Sequence, residues 1–215
     1  MRTVLIVCAA LVFVGLGCNS GSVKTDGISD GWISIFNGVD LDGWKASERE
    51  GCFSVEDGAI KVNGKRSHLF YVGDVEGGDF TNFEFMASVK TTSGSNSGIY
   101  FHTKYQEKGW PKNGYETQVN ISHKDPQKSG GLYVAAKVSN PPAKDNEWYT
   151  HHIIVKGKHV IVKINGQVVV DYVEADDVAF EGWPGRKLSS GTFALQAHDP
   201  KSLVYIKDIK VKPLK

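Results

Sequence analysis

The chain has 215 residues, 40% of them hydrophobic, with 25 Lys+Arg against 24 Asp+Glu for a formal charge of +1. That size buries one core without needing a second domain. Near-neutrality, with no dense basic run and no aromatic-basic interleaving, argues against a nucleic-acid partner and favours a neutral ligand or none.

The N-terminus reads as a targeting segment. Arg2 is positive, Val4 to Gly17 is an uncharged apolar run, and small residues precede Cys18, the pattern of a signal peptide over residues 1–17. With the polar Asn19-Ser20-Gly21-Ser22 behind it, Cys18 resembles a bacterial lipoprotein cleavage site, although Leu16 stands one place nearer the cysteine than is usual. Lipidation of Cys18 and plain cleavage are the two outcomes; either exports the protein to the periplasm or cell envelope. A lipidated Cys18 tethers the mature chain to a membrane by acyl groups alone, since nothing after Gly17 is long and apolar enough to span. Residues 18–28 then serve as anchor site and flexible spacer, and residues 29–215 as the folded domain. With Cys8 in the signal and Cys18 acylated, Cys52 has no intrachain partner and reads as a buried, inert thiol.

After the spacer the chain reads as strands, punctuated by its 24 Gly and 7 Pro. Short runs are expected at Trp32–Phe36, Phe53–Val55, Ala59–Val62, Leu69–Val72, Asn82–Lys90, Ile99–His102, Tyr115–Asn120 and Leu132–Lys137. Further runs follow at Trp148–Lys156, His159–Ile164, Gln167–Val173, Thr192–His198 and Leu203–Val211. No convincing amphipathic helix is present. Phe83, Phe85, Ala87 and Val89 alternate with Glu84, Met86, Ser88 and Lys90, the period of a strand with one buried face. Asn165-Gly166 between two β-branched runs signals a two-residue hairpin. The expected fold class is all-β: a two-sheet antiparallel sandwich.

Three strands divide in the same way. Ile99 and Phe101 oppose Tyr100 and His102; Tyr115 and Val119 oppose Glu116, Gln118 and Asn120; Phe193, Leu195 and Ala197 oppose Gln196 and His198. If the three are neighbours in one sheet, their polar faces make a floor carrying His102, Glu116, Gln118, Gln196 and His198. The plainer reading is the wet face of an ordinary antiparallel sheet. Trp110 and Trp183 lie in Gly/Pro-containing loops, where an aromatic face is free to stack on a ligand; Trp32, Trp44 and Trp148 border strands and read as core. His68, His123, His151, His152 and His159 read as packing or surface residues. Asn120-Ile121-Ser122 matches a glycosylation acceptor, but the lipoprotein-like start points to a bacterial chain, where that match carries no weight.

Several phrases occur together in order: Phe36-Asn37-Gly38 with Asp40-Leu41-Asp42-Gly43-Trp44, Asn96-Ser97-Gly98-Ile99-Tyr100-Phe101, Gly114-Tyr115-Glu116 with Gln118, Gly131-Leu132-Tyr133, Glu147-Trp148, Asn165-Gly166, Leu195-Gln196-Ala197-His198 and Ile209-Lys210-Val211-Lys212-Pro213-Leu214. As a set spanning Trp32 to Leu214 they resemble the 3-keto-disaccharide hydrolase family, once a domain of unknown function. The resemblance implies a concanavalin A-like jelly roll with a sugar-binding concave sheet, acting on glycosides already oxidised at C3. His102 stands where that family often has Arg, and Asn120-Ile121-Ser122 replaces an acidic residue often found there, so the substrate range is expected to differ.

A C3 ketone acidifies the C2 proton, so a base can form an enolate and expel the C1 substituent, after which water adds back. That route avoids the paired-carboxylate geometry of ordinary glycosidases but needs a base near neutrality, an enolate stabiliser and an acid. The resemblance suggests His198 as base, Glu116 as acid or orienting group, and His102, Gln118 and Gln196 as donors to hydroxyls or the enolate. Tyr100, Tyr133 and Lys137 are further substrate-side candidates. No cofactor is indicated outright, and a divalent metal held by some of His102, Glu116 and His198 would serve as Lewis acid. The rival expectation is a non-catalytic, lectin-like module that holds sugar on the same face.

Overall fold

The computed structural model describes residues 30–215; the signal segment, Cys18 and the spacer lie outside the described residues. The strands are β1 (Ile33–Ser34), β2 (Trp44–Ala46), β3 (Phe53–Glu56), β4 (Ala59–Asn63), β5 (Ser67–Tyr71), β6 (Phe83–Thr91) and β7 (Ser97–Thr103), followed by β8 (Tyr115–Val119), β9 (Tyr149–Lys156), β10 (His159–Ile164), β11 (Gln167–Val173), β12 (Thr192–Ala197) and β13 (Leu203–Pro213). They form two antiparallel sheets, one ordered β11-β10-β9-β6-β13-β4-β3 with β1 on β13, the other β2-β5-β12-β7-β8. The result is an all-β, two-sheet jelly-roll sandwich. No helix among the described residues is long and apolar enough to cross a membrane.

Period-2 patterning decides the packing. In β6 every second residue from Phe83 to Thr91 is buried, and these side chains meet the inner faces of β7 and β12. Phe193 sits at the centre, its ring 4.8 Å from Phe80, 4.9 Å from Phe83 and 4.7 Å from Phe85. Asn165 and Gly166, both at positive φ, close the β10–β11 hairpin with Ile164 opposite Gln167, the geometry a type I′ turn requires. Cys52 is buried and free, its Sγ donating to Lys65 O at 3.2 Å; burial raises its pKa, which keeps it a thiol.

Three local expectations need correction. Leu132–Lys137 is not a strand: Gln127 Nε2 donates to Leu132 O and Ala136 O, its Oε1 accepts from Val138 N, and Val134 turns to φ 66°. The segment therefore wraps around one buried amide, with only isolated bridges from Leu132 to Thr117 and Ala136. Trp148 is not core but 40% exposed, lying on the outer face of the larger sheet beneath Lys90 and Lys207. Trp32 likewise sits half-buried under Lys210, whereas Trp44 is buried.

Candidate active site

The smaller sheet positions the site. Strands β12, β7 and β8 are neighbours, with Tyr100 paired to Glu116 and Ala194 paired to Tyr100. Their outer faces therefore bring Tyr100, Glu116, Gln118 and Gln196 to one floor. Over it lies a cavity of about 220 Å³ lined by Asn96, Tyr100, Trp110, Glu116, Gln118, Asp125, Tyr133, Trp183, Gln196 and His198.

At its centre is a closed hydrogen-bond triangle. Tyr100 OH donates to Glu116 Oε2 at 2.7 Å, and Gln196 Nε2 donates to Glu116 Oε1 at 2.8 Å and to Tyr100 OH at 2.9 Å. Gly98 makes room for the carboxyl: a Cβ there would stand 2.9 Å from Glu116 Cδ. Burial is the largest influence on Glu116 and outweighs its donors, so its pKa rises above the ordinary carboxylate range; this is the direction a proton donor needs. Behind the triangle Arg186 is buried between the rings of Tyr100 and Trp183, with Nη1 donating to Gly114 O and Nη2 3.7 Å from Glu116 Oε2.

His198, half-buried at the rim, is held by its neighbour. Its Nδ1 lies 2.9 Å from Asp199 Oδ2, which also accepts from Ser202 Oγ at 2.7 Å, while Asp199 Oδ1 accepts from Lys201 N at 2.9 Å. Burial opposes the Asp199 charge, but the bonds from His198, Ser202 and Lys201 together outweigh it and lower its pKa to about 2. An ionised Asp199 can only accept, so Nδ1 carries the proton and the neutral ring has its lone pair on Nε2. Trp110 lies 5.7 Å and His123 5.9 Å from the His198 ring. Two amide oxygens, Gln118 Oε1 and Gln196 Oε1, are buried without a hydrogen-bond partner, on side chains that line the cavity.

The geometry thus gathers His198, Glu116, Gln118, Gln196, Tyr100, Tyr133, Trp110 and Trp183, and separates His102 and Lys137 from them. His102 does not reach the floor. Thr103 pairs with Thr192 and Tyr100 with Ala194, leaving Phe101 and His102 opposite the single Phe193, a β-bulge. His102 takes φ 55° and turns inward, its ring 5.6 Å from Phe83, Nε2 2.9 Å from Thr81 O and Nδ1 accepting from Ser189 N at 3.2 Å. Burial lowers its pKa, so it is a neutral structural side chain. Lys137 lines a neighbouring depression that shares only Asp125 and Tyr133 with the cavity. The ligand set suggested for a metal does not fit: His102 faces the core, and among the described residues no three His, Cys, Asp or Glu side chains are gathered as ligands.

Sequence reasoning missed Asn96, Asp125, Arg186 and Asp199; His68, read as a packing residue, is one. Asp199 had a local signal, adjacency to His198; Arg186 closes the Gly182-Trp183-Pro184-Gly185 loop already marked for its Trp. His68 pairs with Gln196 on the same floor, buried beneath Trp110 with both ring nitrogens unpartnered; burial lowers its pKa to about 3.

Comparison with known proteins follows the same lines. The model of the 3-keto-alpha-glucoside-1,2-lyase-like domain family matches residues 31–212. A 3-keto-disaccharide hydrolase of Bacteroides thetaiotaomicron is 26% identical, the match covering 86% of this chain and 79% of that one. A Parabacteroides distasonis chain provisionally described as a glycosyl hydrolase superimposes with TM-score 0.71 at 25% identity, over 86% of this chain and 94% of that chain. A galectin-like protein of Bacillus subtilis shares the fold at TM-score 0.59 and 12% identity, over 80% and 90% of the two chains.

Proposed function

Because the chain belongs to the family of 3-keto-alpha-glucoside-1,2-lyase-like domains, a carbohydrate-active family, we propose that it cleaves 3-keto-glycosides by C2 proton abstraction, elimination of the C1 substituent and hydration. The observation that carries the proposal is the pairing of groups at one cavity: an imidazole held by Asp199 with its lone pair on Nε2, and a buried carboxyl of raised pKa at Glu116.

In this reading His198 Nε2 removes the C2 proton, and the growing imidazolium is stabilised through Nδ1–H by Asp199. Electrons of the C2–H bond form the enolate of the C3 ketone, and the C1–O bond breaks as Glu116 protonates the leaving oxygen. Arg186, a fixed cation 3.7 Å from Glu116 Oε2, stabilises the carboxylate that this transfer leaves behind. Water then adds at C1 and a proton returns to C2, so the sum is hydrolysis. Gln118 Oε1 and Gln196 Oε1 accept from sugar hydroxyls, and Trp110 and Trp183 supply apolar faces. The apolar run ahead of Cys18 supports an exported, envelope-located enzyme, anchored by acyl groups if Cys18 is lipidated.

A turnover assay across 3-keto-glucosides and their unoxidised parents tests the proposal: the oxidised sugars are cleaved and the parents are not. A lectin-like module would instead bind sugars without turnover, and His198→Gln would leave that binding largely intact.

A further inference from the structure

The cavity borders a second depression built from two loops. The β7–β8 loop contributes Trp110 and Pro111, and the β11–β12 connection contributes Trp183 and Pro184, to a slot of about 450 Å³ that shares both tryptophans with the cavity. The loops are clamped together: Gly114 N donates to Gly185 O at 3.0 Å, and any Cβ at Gly185 would collide with Lys112 O. Each indole is held independently of a ligand. Trp110 rests edge-on against His68 at 5.5 Å with Arg66 at 5.6 Å; Trp183 is flanked by Arg186 at 4.9 Å and Tyr133 at 5.6 Å.

Resting on the proposed function, we propose that this slot receives the leaving group of the glycoside and that its two Trp-Pro walls select a flat aromatic aglycone. A keto sugar that fills a cavity of this size leaves its C1 substituent outside it, and the slot adjoins the cavity along both indoles. A second pyranose would bring several hydroxyls, each needing a partner on leaving water, whereas the slot offers, besides the two indole N–H groups, polar side chains only at Lys112 and Asn113. An aryl ring needs faces, and preordered faces cost little to use. The chemistry agrees. In the elimination His198 takes the C2 proton, the C2–H pair becomes the enolate, the C1–O bond breaks, and the aryl oxygen leaves as a phenol with the Glu116 proton; water then adds its OH to C1 and gives its proton to Glu116, while His198 returns a proton to C2. A phenol, with a pKa of about 10 as in tyrosine, makes smaller demands on the acid than a sugar hydroxyl.

The test compares kcat/KM for a phenyl and a methyl 3-keto-glucoside in the wild type, Trp110→Ala, Trp183→Ala and Lys137→Ala, with thermal midpoints recorded. Taking the phenyl-to-methyl ratio within each protein removes the intrinsic reactivity of the phenyl substrate and any loss of fold. The inference expects that ratio to fall about tenfold in either Trp variant and to stay unchanged in Lys137→Ala. An unchanged ratio in both Trp variants, or a fall confined to Lys137→Ala, overturns it while leaving the cleavage reading intact. Binding of the unoxidised phenyl and methyl glucosides, followed by tryptophan fluorescence, decides the slot separately from turnover: phenyl is expected to bind about tenfold tighter, and equal binding refutes it.

Discussion

Replacing Asp199 by Asn removes one formal charge and little volume, and so isolates its hold on His198. Asp199 falls from an ordinary 3.8 to about 2; such a shift corresponds to about 2 kcal/mol, which partial exposure of the carboxylate reduces to about 1–2 kcal/mol. Because the folded pKa is the lower one, this stability is present above the unfolded value and is lost as pH falls through about 2. At neutral pH the variant is expected to melt about 2–8 °C lower, using 2–4 °C per kcal/mol for a chain of this size. The larger effect is on chemistry. Asn can offer His198 either its oxygen or its amide, so Nδ1 no longer reliably carries the proton, and kcat on a 3-keto-glycoside is expected to drop about 100-fold, within the range of general acid–base catalysis. Nitrogen NMR of the histidines reads the tautomer directly: Nδ1-protonated at His198 in the wild type, mixed in the variant. If Asp199→Asn matches the wild type in both kcat and tautomer, the orienting role is wrong.

Other expectations follow from individual contacts. Gly98→Ala drives a methyl group into Glu116; kcat is expected to fall about 100-fold while the circular dichroism spectrum stays that of the parent, and unchanged turnover would mean the carboxyl is not used in place. Glu116→Gln cannot donate a carboxylic proton, so turnover of a 3-keto-disaccharide should fall about 10²–10⁴-fold while titration still detects binding; equal kcat would dismiss Glu116 as the acid. His151 is fully buried in the core with both nitrogens unpartnered, and burial lowers its pKa from 6.5 to about 3. The unfolded chain therefore binds the extra proton between those values, and stability declines as pH falls from about 6.5 towards 3. His151→Leu is expected to flatten that decline in denaturant titrations at a series of pH values; an unaltered pH dependence would place the acid sensitivity elsewhere.

The fold was legible in the sequence because it rests on period-2 patterning, as in β6, and on turn chemistry, as at Asn165-Gly166. Both are local. The sharing of one cavity by Glu116, Gln196 and His198 was legible only as a conditional, because alternation gives each residue its face but not the order of strands in the sheet. His102 shows where alternation misleads: one extra residue opposite Phe193 reverses the face, and nothing in Tyr100-Phe101-His102-Thr103 marks the bulge. Leu132–Lys137 has the composition of a strand, yet the amide of Gln127 captures its backbone first. Arg186 and Asp125 come from long connections whose path depends on contacts far away in sequence, Gly114 O for Arg186 among them. Trp148 looked like core because an aromatic beside a strand usually is; here lysine ammonium groups on β6 and β13 cover it from the solvent side.

The most direct measurement is proton NMR of the reaction run in deuterium oxide on a 3-keto-glycoside. Abstraction at C2 by His198 and rehydration predict one deuterium at C2 of the released keto sugar, with the label and the cleavage both lost in His198→Gln. Cleavage that leaves C2 fully protonated would contradict the account, because the C1 bond would then have broken without the base that the cavity is built around.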